Sequence, residues 1–512
     1  GFFVSETIRA TRKLTLDLGI RFEVLYSPID PGGRGYNFDK ATGRFVVRTQ
    51  DSLRLLNPGL SPTLRANVVT ADAAGFPSRL VNNLVSTDPR VGLAYRLFND
   101  TVVRAAYGIY GTLANVGAPT GGIFTAGSES NTNVFTCNNA AGTCSPAFTL
   151  ANPFPGSGTA AVSGLAVSGI NPNLRSPRTH QWNATVEQRL PAEIVLRTSY
   201  VGTVSRQLPY GRNVNLPPAS TIPFTSSRLL YPSYIFSAAY TDSGGNASFH
   251  ALDIEFKRPW SKGFTMLGGY NFQKCLSDVD EMTGTSGAGP TIESPYDRSR
   301  DKGRCQAFSP NMFRAMYTWD LPFGQGRNWL LAHPDTLGKK ILSHVVGGWT
   351  VSGFFLAKSG NYYTPYWSGV SAGNGPNTSQ SRLRPDVIPG CNPNLPNRDH
   401  FKIFEYKCFT QPANGRYGNA GSGVIQSLGT WTYDAGLYKY FFFSGDERMP
   451  RLRLSANSLN AFNHAGWGPT ADYNVNSPVG VVAKSNANAT LNGITQNLGG
   501  WRQIYLEMRV EW

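Results

Sequence analysis

The sequence predicts an all-β protein, a transmembrane antiparallel β-barrel, and three observations lead to that prediction. Segments of more than ten residues alternate strictly between apolar and polar side chains, which is the period and length of a tilted membrane-spanning strand. Charged residues make up only 15% of the 512 residues, whereas soluble proteins average about 25%. Short and long connections alternate along the chain, as turns and loops do at the two rims of such a barrel.

The composition narrows the alternatives further. Glycine (55 residues) and proline (34 residues) are abundant, and 12% of the chain is aromatic, which argues against a coiled coil. A hydrophobic content of 40% argues against a disordered chain. No run approaches about 18 consecutive apolar residues, so the sequence offers no transmembrane helix. Any membrane crossing therefore has to be made by strands.

The net charge of +15 is spread along the chain. Proteins that bind nucleic acid usually cluster their basic residues, whereas here they stand singly, so we expect no nucleic-acid partner. The longest basic cluster is interrupted by aspartates and comprises Arg298, Arg300, Lys302 and Arg304 among Asp297 and Asp301. The charge favours an anionic ligand or the phosphates of lipopolysaccharide, both as hypotheses.

The clearest strand is residues 13–26, where every second side chain is apolar. The apolar set is Leu14, Leu16, Leu18, Ile20, Phe22, Val24 and Tyr26, and Thr15, Asp17, Gly19, Arg21 and Glu23 fall between them. The last segment repeats this pattern from Ile504 to Trp512. Charged residues on the polar face require a wet interior, since buried unpaired charges are costly.

The sequence predicts thirteen strands, separated alternately by short and long connections. They span about 2–10, 14–26, 88–98, 101–112, 178–190, 193–206, 248–259, 263–275, 311–321, 347–358, 429–443, 450–463 and 501–512. The long connections are 27–87, 113–177, 207–247, 276–310, 359–428 and 464–500. Segment 322–346 belongs by its position to the short side, yet it is about 25 residues long. We expect a short helix within 337–346.

Six cysteines lie in the long connections or at their rims, and each candidate pair shares one connection. The predicted disulfides are Cys137–Cys144, Cys275–Cys305 and Cys391–Cys408. An even count is typical of disulfides in an oxidising compartment. The lack of a CxxC motif or a Cys/His metal spacing argues against a zinc site.

The main alternative fold is a soluble β-sandwich or a repeat array with long loops. A sandwich uses strands of about five or six residues, and its buried faces form a common core. Strand length, low charge and unequal connections favour the barrel. A soluble, secreted β-protein that binds carbohydrate is a weaker alternative, and it would be extracted without detergent.

The segment KLTLDLGIRFE (13–23) resembles the KLTLNLGLRYE signature of TonB-dependent outer-membrane receptors. Further segments resemble the Oar-like branch of these receptors, which is common in acidobacteria and myxobacteria. They are DPRVGLAY (88–95), THQWN (179–183), SYVG (199–202), FHAL (249–252), DLPFGQGR (320–327), GGWTVSG (347–353) and NAFNH (460–464). Their order runs along nearly the whole chain, and Trp512 is similar to the terminal aromatic residue read by the barrel-assembly machinery.

The resemblance implies a barrel of about 22 strands in the outer membrane of a Gram-negative bacterium, in contact with its lipid and lipopolysaccharide. Such receptors carry a plug, a TonB box and often a carboxypeptidase-like domain before the barrel. We find none of these within the sequence and expect 1–512 to be the C-terminal part of the barrel. A missing N-terminal part or a partner chain would complete it. The direction of the strands agrees with this. Counted back from the last of about 22 strands, the first predicted strand is the tenth, and even-numbered strands of such a barrel run toward the periplasm.

The resemblance also implies a transporter that takes up a bulky ligand, driven by TonB through a plug that this chain does not contain. The alternative is a structural or adhesive barrel, or a passive pore, whose stapled loops bind another protein or a surface glycan. A plug and a TonB box upstream would favour transport. Relatives of this type carry siderophores, oligosaccharides, peptides or proteins, and one sequence does not distinguish these substrates.

Metal and catalytic residues are weakly indicated. Asp278, Asp280 and Glu281 lie close together in a long connection, and carboxylates so close could hold calcium. A solvated acidic loop is the simpler interpretation. We expect no enzymatic activity and no other cofactor, because the six histidines are scattered and no glycine-rich phosphate loop occurs.

A group of aromatic residues follows the tenth predicted strand. It comprises Tyr362, Tyr363, Tyr366 and Trp367. These rings could stack on a sugar or a peptide. The simpler interpretation assigns them to the aromatic girdle at the membrane interface.

Overall fold

The computed structural model shows a protein built around one large antiparallel sheet. The described residues are 1–57, 60–111, 119, 123–124, 136–138, 143–145, 165–235, 238–279, 292–306, 308–324, 329–330, 333–367, 372–374, 383–397, 404–442, 450–466, 475 and 501–511. At 136–138, 143–145 and 442 the description is limited to the backbone.

In the described part of the chain, thirteen strands pair side by side in sequence order and form what we call the wall. Each strand is antiparallel to its neighbours. The strands are β1 (Phe2–Arg9), β2 (Leu14–Leu25), β3 (Leu84–Phe98), β4 (Thr101–Gly111), β5 (Arg178–Arg189), β6 (Val195–Arg212), β7 (Ala238–Ser261), β8 (Phe264–Ser277), β9 (Asn311–Asp320), β10 (Trp349–Lys358), β11 (Thr430–Phe442), β12 (Arg451–Leu459) and β13 (Gln503–Glu511). Each overlaps a predicted strand, so the predicted fold class is confirmed.

Some strands extend further toward the long connections than the alternation predicts. β7 begins at Ala238, ten residues before its predicted start, and β6 continues to Arg212. A bulge interrupts their pairing between Ser205 and Pro209, above which the hairpin continues. The added part of β7 is polar and rich in glycine, since a hairpin that rises out of a membrane needs no apolar face. The alternation therefore marks only the membrane-facing part of each strand.

The two faces of the wall differ in polarity. On β13, Leu506 and Met508 lie on one face and are 82% and 74% exposed. Glu507 lies between them on the opposite face, where it pairs with Arg453 of β12 at 2.9 Å. A soluble sandwich would bury its apolar face against a second sheet. An exposed apolar face opposite a polar, ion-paired face is instead the pattern of a membrane barrel.

The wall has two open edges, β1 and β13. Among the described residues each is paired on one side only, and the side chains of Phe2 and Phe3 are 80% and 75% exposed. Because thirteen is odd, β1 and β13 run in the same direction. The wall therefore cannot close on itself by antiparallel pairing.

The remaining elements are short. The helices are α1 (Gln50–Arg54), α2 (Pro62–Ala66), α3 (Ala71–Ala74) and α4 (Leu337–Val346), with 3₁₀ turns at Pro191–Glu193, Ser226–Arg228, Arg298–Asp301 and Tyr406–Cys408. Short strands are Tyr36–Asp39, Arg44–Val47, Val68–Thr70, Thr136–Asn138, Thr143–Ser145, Val167–Ile170, Gly303–Arg304, Tyr362–Tyr363, Asp386–Val387, Phe409–Thr410 and Ile425–Gln426. Helix α4 confirms the prediction made for 337–346. No helix within the described ranges is long and apolar enough to cross a membrane.

Candidate functional site

The long connections fold against one another and form a layer that we call the loop cap. It comprises the described residues of the connections β2–β3, β4–β5, β6–β7, β8–β9 and β10–β11. Its largest apolar cluster joins Phe38 and Phe45 from the first connection, Ile123 and Val167 from the second, and Tyr234 from the third, all of them buried. Loops with a buried core of their own form an ordered surface rather than separate flexible arms.

A buried asparagine ties two of these connections to each other. The Asn37 side-chain oxygen accepts from the backbone N–H groups of Phe38 and Ile170, both at 2.8 Å. Its amide nitrogen donates to the Leu80 carbonyl at 2.8 Å. A fully buried amide whose oxygen and nitrogen are both paired fixes the register of the segments around it.

Buried ion pairs join the connections β8–β9 and β10–β11. Arg384 is 3% exposed, and its Nε donates to Glu293 at 3.0 Å while its Nη1 lies 3.1 Å from Asp301. The backbone N–H of Arg384 also donates to Glu293, at 2.8 Å. Arg300 reaches the same Glu293 carboxylate at 3.3 Å and lies over the Tyr417 ring. We call Glu293, Arg300, Asp301 and Arg384 the Arg384 network; its two cations balance its two carboxylates.

Two disulfides staple the loop cap. Cys275 at the upper end of β8 is bonded to Cys305, and Cys391 is bonded to Cys408. Both pairs are among those predicted from the sequence. The side chains of the third pair lie outside the described residues, but their backbone places Cys137 opposite Cys144 in a short hairpin.

Below the cap, the polar face of the wall carries a row of charges. Arg104 lies 3.5 Å from Glu187, and Arg197 lies 3.6 Å from Glu255. Glu187 and Arg197 face each other in the β5–β6 register, so the charges alternate in sign across four strands. Such a partly exposed row requires water beside it. It lines a hydrated interior that suits a polar ligand or a protein segment.

The predicted aromatic residues lie within the loop cap. Tyr362 and Tyr363 form a short strand paired with Ile425–Gln426. Tyr363 packs against the cluster around Phe404 and Ile425, and so does Trp367. Tyr362 lies under the Arg304 guanidinium, 4.6 Å from its ring centre. Much of the surface of these rings is thus used inside the cap, and their contact with a ligand stays a prediction.

The predicted acidic group is described only in part. The carboxylate of Asp278 accepts from the Asn246 backbone N–H at 2.6 Å and pairs with Arg298 at 3.1 Å. Asp280 and Glu281 lie outside the described residues. Asp278 therefore serves to hold the upper ends of β7 and β8 to the β8–β9 connection, and calcium binding by this group stays untested.

Sequence reasoning missed the Arg384 network. Glu293 and Arg384 are 91 residues apart, so no local pattern connects them. One signal was available, because the basic cluster at 298–304 is interrupted by Asp301, and alternating signs in a loop often indicate ion pairing. Its partner in another connection could not be read from one sequence.

Burial raises the pKa of Tyr363 to about 12, whereas its hydrogen bond with Asn361 acts in the opposite direction. An unfolded tyrosine ionises near pH 10. Burial of the neutral phenol therefore stabilises the cap fully below about pH 10, and this contribution is lost as the pH rises toward about 12. Between these two pH values, the free energy of unfolding should therefore fall less in the Tyr363→Phe variant than in the parent protein.

The measurement is the urea concentration at the midpoint of cap unfolding, at about pH 10 and at about pH 12. Near-ultraviolet circular dichroism monitors the unfolding. Other buried tyrosines are present in both proteins and cancel in the comparison. Equal losses in the two proteins would show that Tyr363 does not couple folding to alkaline pH.

Comparisons with known proteins relate this chain to a protein family and to solved structures. The family described as an outer membrane beta barrel domain matches residues 1–504. No curated protein matches the sequence. Among solved structures, FpvA of P. aeruginosa bound to heterologous pyoverdines is similar with a TM-score of 0.42 and 10% identity, covering 99% of this chain and 37% of that chain. BauA, the ferric preacinetobactin receptor from Acinetobacter baumannii, is similar with a TM-score of 0.40 and 13% identity, covering 99% and 42%.

This chain therefore spans less than half the length of those two receptors. The family match, by contrast, extends over nearly all of its residues and covers the first twelve strands of the wall and the start of β13. The wall lies in the outer membrane of a Gram-negative bacterium, and the chain belongs to the outer membrane beta barrel domain family.

Proposed function

We propose that the chain forms most of the barrel of a TonB-dependent outer-membrane receptor of the Oar-like type, which takes up a bulky ligand. The observation that carries the proposal is the combination of a charged interior face with an ordered, cross-linked loop cap above it. The cap offers a preformed surface for capture outside the cell. The alternating charges below the cap keep the interior of the barrel hydrated. The +15 net charge favours an anionic ligand.

We propose further that residues 1–512 supply the C-terminal part of this barrel. The edges β1 and β13 support this, because within the described ranges each has a strand on one side only, and a lipid environment does not satisfy backbone groups left unpaired on the other. An odd number of additional strands would join the two edges with antiparallel pairing throughout. They would come from a missing N-terminal part or from a partner chain.

The energy for uptake would come from TonB, acting on a plug that fills the barrel. The charged row on β4 to β7 is a surface that such a plug could contact. Lipopolysaccharide and outer-membrane phospholipid would surround the apolar face.

A passive pore or an adhesive barrel is the second candidate, favoured by the same stapled cap. Planar bilayers in potassium chloride distinguish the two. A transport receptor keeps its interior filled, so we expect no steady conductance from protein purified from outer membranes. A passive pore would conduct steadily and ohmically, and that result would overturn the transport proposal.

Intact mass and N-terminal sequencing on the same preparation keep the result interpretable. A polypeptide much heavier than 512 residues would show that the tested barrel contains the additional strands and the plug. A polypeptide of this length, co-purifying with a second chain, would assign the additional strands to that partner instead.

A further inference from the structure

Helix α4 has an inverted arrangement of polar and apolar residues. Ser343 is 2% exposed and lies against the protein, whereas Leu337, Ile341 and Val345 are 75%, 59% and 61% exposed. At 100° per residue these three side chains form one stripe, almost opposite Ser343. A helix on the surface of a soluble protein would turn this stripe inward. Here it faces away from the protein.

The helix is held in this orientation by close backbone packing at its C-terminal end. A Cβ on Gly347 would lie 2.7 Å from the Ser343 carbonyl oxygen and 2.8 Å from the Gly324 Cα. Gly324 itself has a φ of +96°, which favours glycine. The N-terminal end is capped by Thr336, whose hydroxyl accepts from the Lys339 N–H at 3.3 Å. The outward stripe is therefore built into the fold.

The position of α4 follows from two side chains of the wall. Trp349 donates from Nε1 to the Val345 carbonyl at 2.9 Å, and the Lys439 ammonium donates to the carbonyls of His344 and Val345. Trp349 and Lys439 are register partners on neighbouring strands, so they lie on the same face. Alternation along β11 places Lys439 with Leu437, which is on the apolar face. The helix thus lies on the outside of the wall.

Lys439 would otherwise be a charged residue on a lipid-facing surface. It is 6% exposed because α4 covers it, and the negative end of the helix dipole and its free carbonyls receive the ammonium. The flanking residues Leu437 and Phe441 remain 38% and 39% exposed. The outward stripe of α4 is therefore continuous with the lipid-facing surface of β11.

The rim on which α4 lies is that of the short turns, because it connects β9 to β10 on the same side as the β1–β2, β3–β4 and β7–β8 turns. In outer-membrane barrels that rim faces the periplasm. Trp329 and Leu330, 57% and 61% exposed, lie in the same connection. An aromatic and aliphatic surface at this depth is suited to the boundary between lipid headgroups and acyl chains.

We propose that α4 is an interfacial helix that inserts its Leu337, Ile341 and Val345 stripe into the periplasmic leaflet of the outer membrane. The molecules that cover this stripe are phospholipids. Lys340 flanks the stripe and extends its stem along the acyl chains with its ammonium at the phosphate level. The helix anchors the wall at a fixed depth and shields the Lys439 charge from the hydrocarbon.

The test is site-directed spin labelling of the purified protein in phospholipid vesicles, with nitroxides at Ile341→Cys and, separately, at Leu337→Cys. Both side chains are exposed, so a label at either site should not disturb the fold. Power saturation compares contact with oxygen, which partitions into lipid, and with a water-soluble nickel chelate. The matched control is Asn99→Cys in the short β3–β4 turn at the same rim, and protein without an added cysteine gives the labelling background.

We expect an oxygen-to-nickel accessibility ratio several-fold higher at Ile341 and at Leu337 than at Asn99. Equal ratios at all three sites would place the stripe in water and overturn the proposal. Exclusion of both reagents at Ile341 and Leu337 would also overturn it, because a second copy of the chain or a periplasmic protein would then cover the stripe.

Discussion

Replacing Arg384 by methionine should open the loop cap while leaving the wall folded. The substitution keeps an unbranched side chain but leaves Glu293 and Asp301 without their shared cation. Removing one partner of a buried ion pair costs about 3–5 kcal/mol, because the remaining charge stays buried and unpaired. Arg300 still reaches Glu293, but the guanidinium of Arg384, which binds both carboxylates from the other connection, is gone, so the connections β8–β9 and β10–β11 should separate.

Limited proteolysis of the protein in detergent measures this opening. Cleavage within the two connections should rise by about a hundredfold or more, because cleavage follows the population of the open form. The wall should keep the folded migration that distinguishes the unheated from the heated protein on a gel. The matched control is Arg54→Met, since Arg54 pairs with Asp51 where both side chains are more than 80% exposed. An exposed pair contributes under about 1 kcal/mol. Cleavage of the Arg384 variant at the parent rate would show that the network does not join the connections.

Removing the Cys275–Cys305 disulfide with paired serines should have an effect of similar size. The bond closes a segment of 30 residues, and the chain-entropy relation gives about 3–4 kcal/mol for a loop of that length. The lost restraint lies at the base of the β8–β9 connection, where Cys305 also donates its backbone N–H to the Cys275 carbonyl at 3.2 Å. We expect this connection, and not the body of β8, to lose protection.

Hydrogen exchange resolved by peptide shows where protection is lost. In the comparison variant, serines replace Cys391 and Cys408. The disulfide removed in this way closes a shorter segment of 17 residues. The loss of protection from exchange in this variant should be slightly smaller and confined to the β10–β11 connection. A peptide map of the parent protein that links cysteines of different connections would contradict both expectations.

The wall was predictable because a membrane strand has lipid on one side and water on the other. That contrast runs through most of β2 and β13. It disappears above the membrane, which explains why the alternation missed the first ten residues of β7. The two described disulfides were predictable because each joins cysteines that lie within one long connection or at its rim.

Contacts between connections were not predictable from the sequence. Glu293 and Arg384 meet only because the wall brings the β8–β9 and β10–β11 connections above the same strands. The sequence also predicted α4 without predicting which way it faces. Its apolar stripe alone would suggest packing against the protein, and the decisive residue, Lys439, lies far along the chain on another strand.

The open edges of the wall have a consequence for biogenesis. Inserted by itself, the sheet would present two rows of unsatisfied N–H and C=O groups to hydrocarbon, each group costing several kcal/mol. Adding or losing a hairpin changes the number of strands by two and so never removes the mismatch between β1 and β13. If further strands close the barrel, as we propose, their insertion would have to be concerted with that of the wall, whether they belong to the same polypeptide or to another.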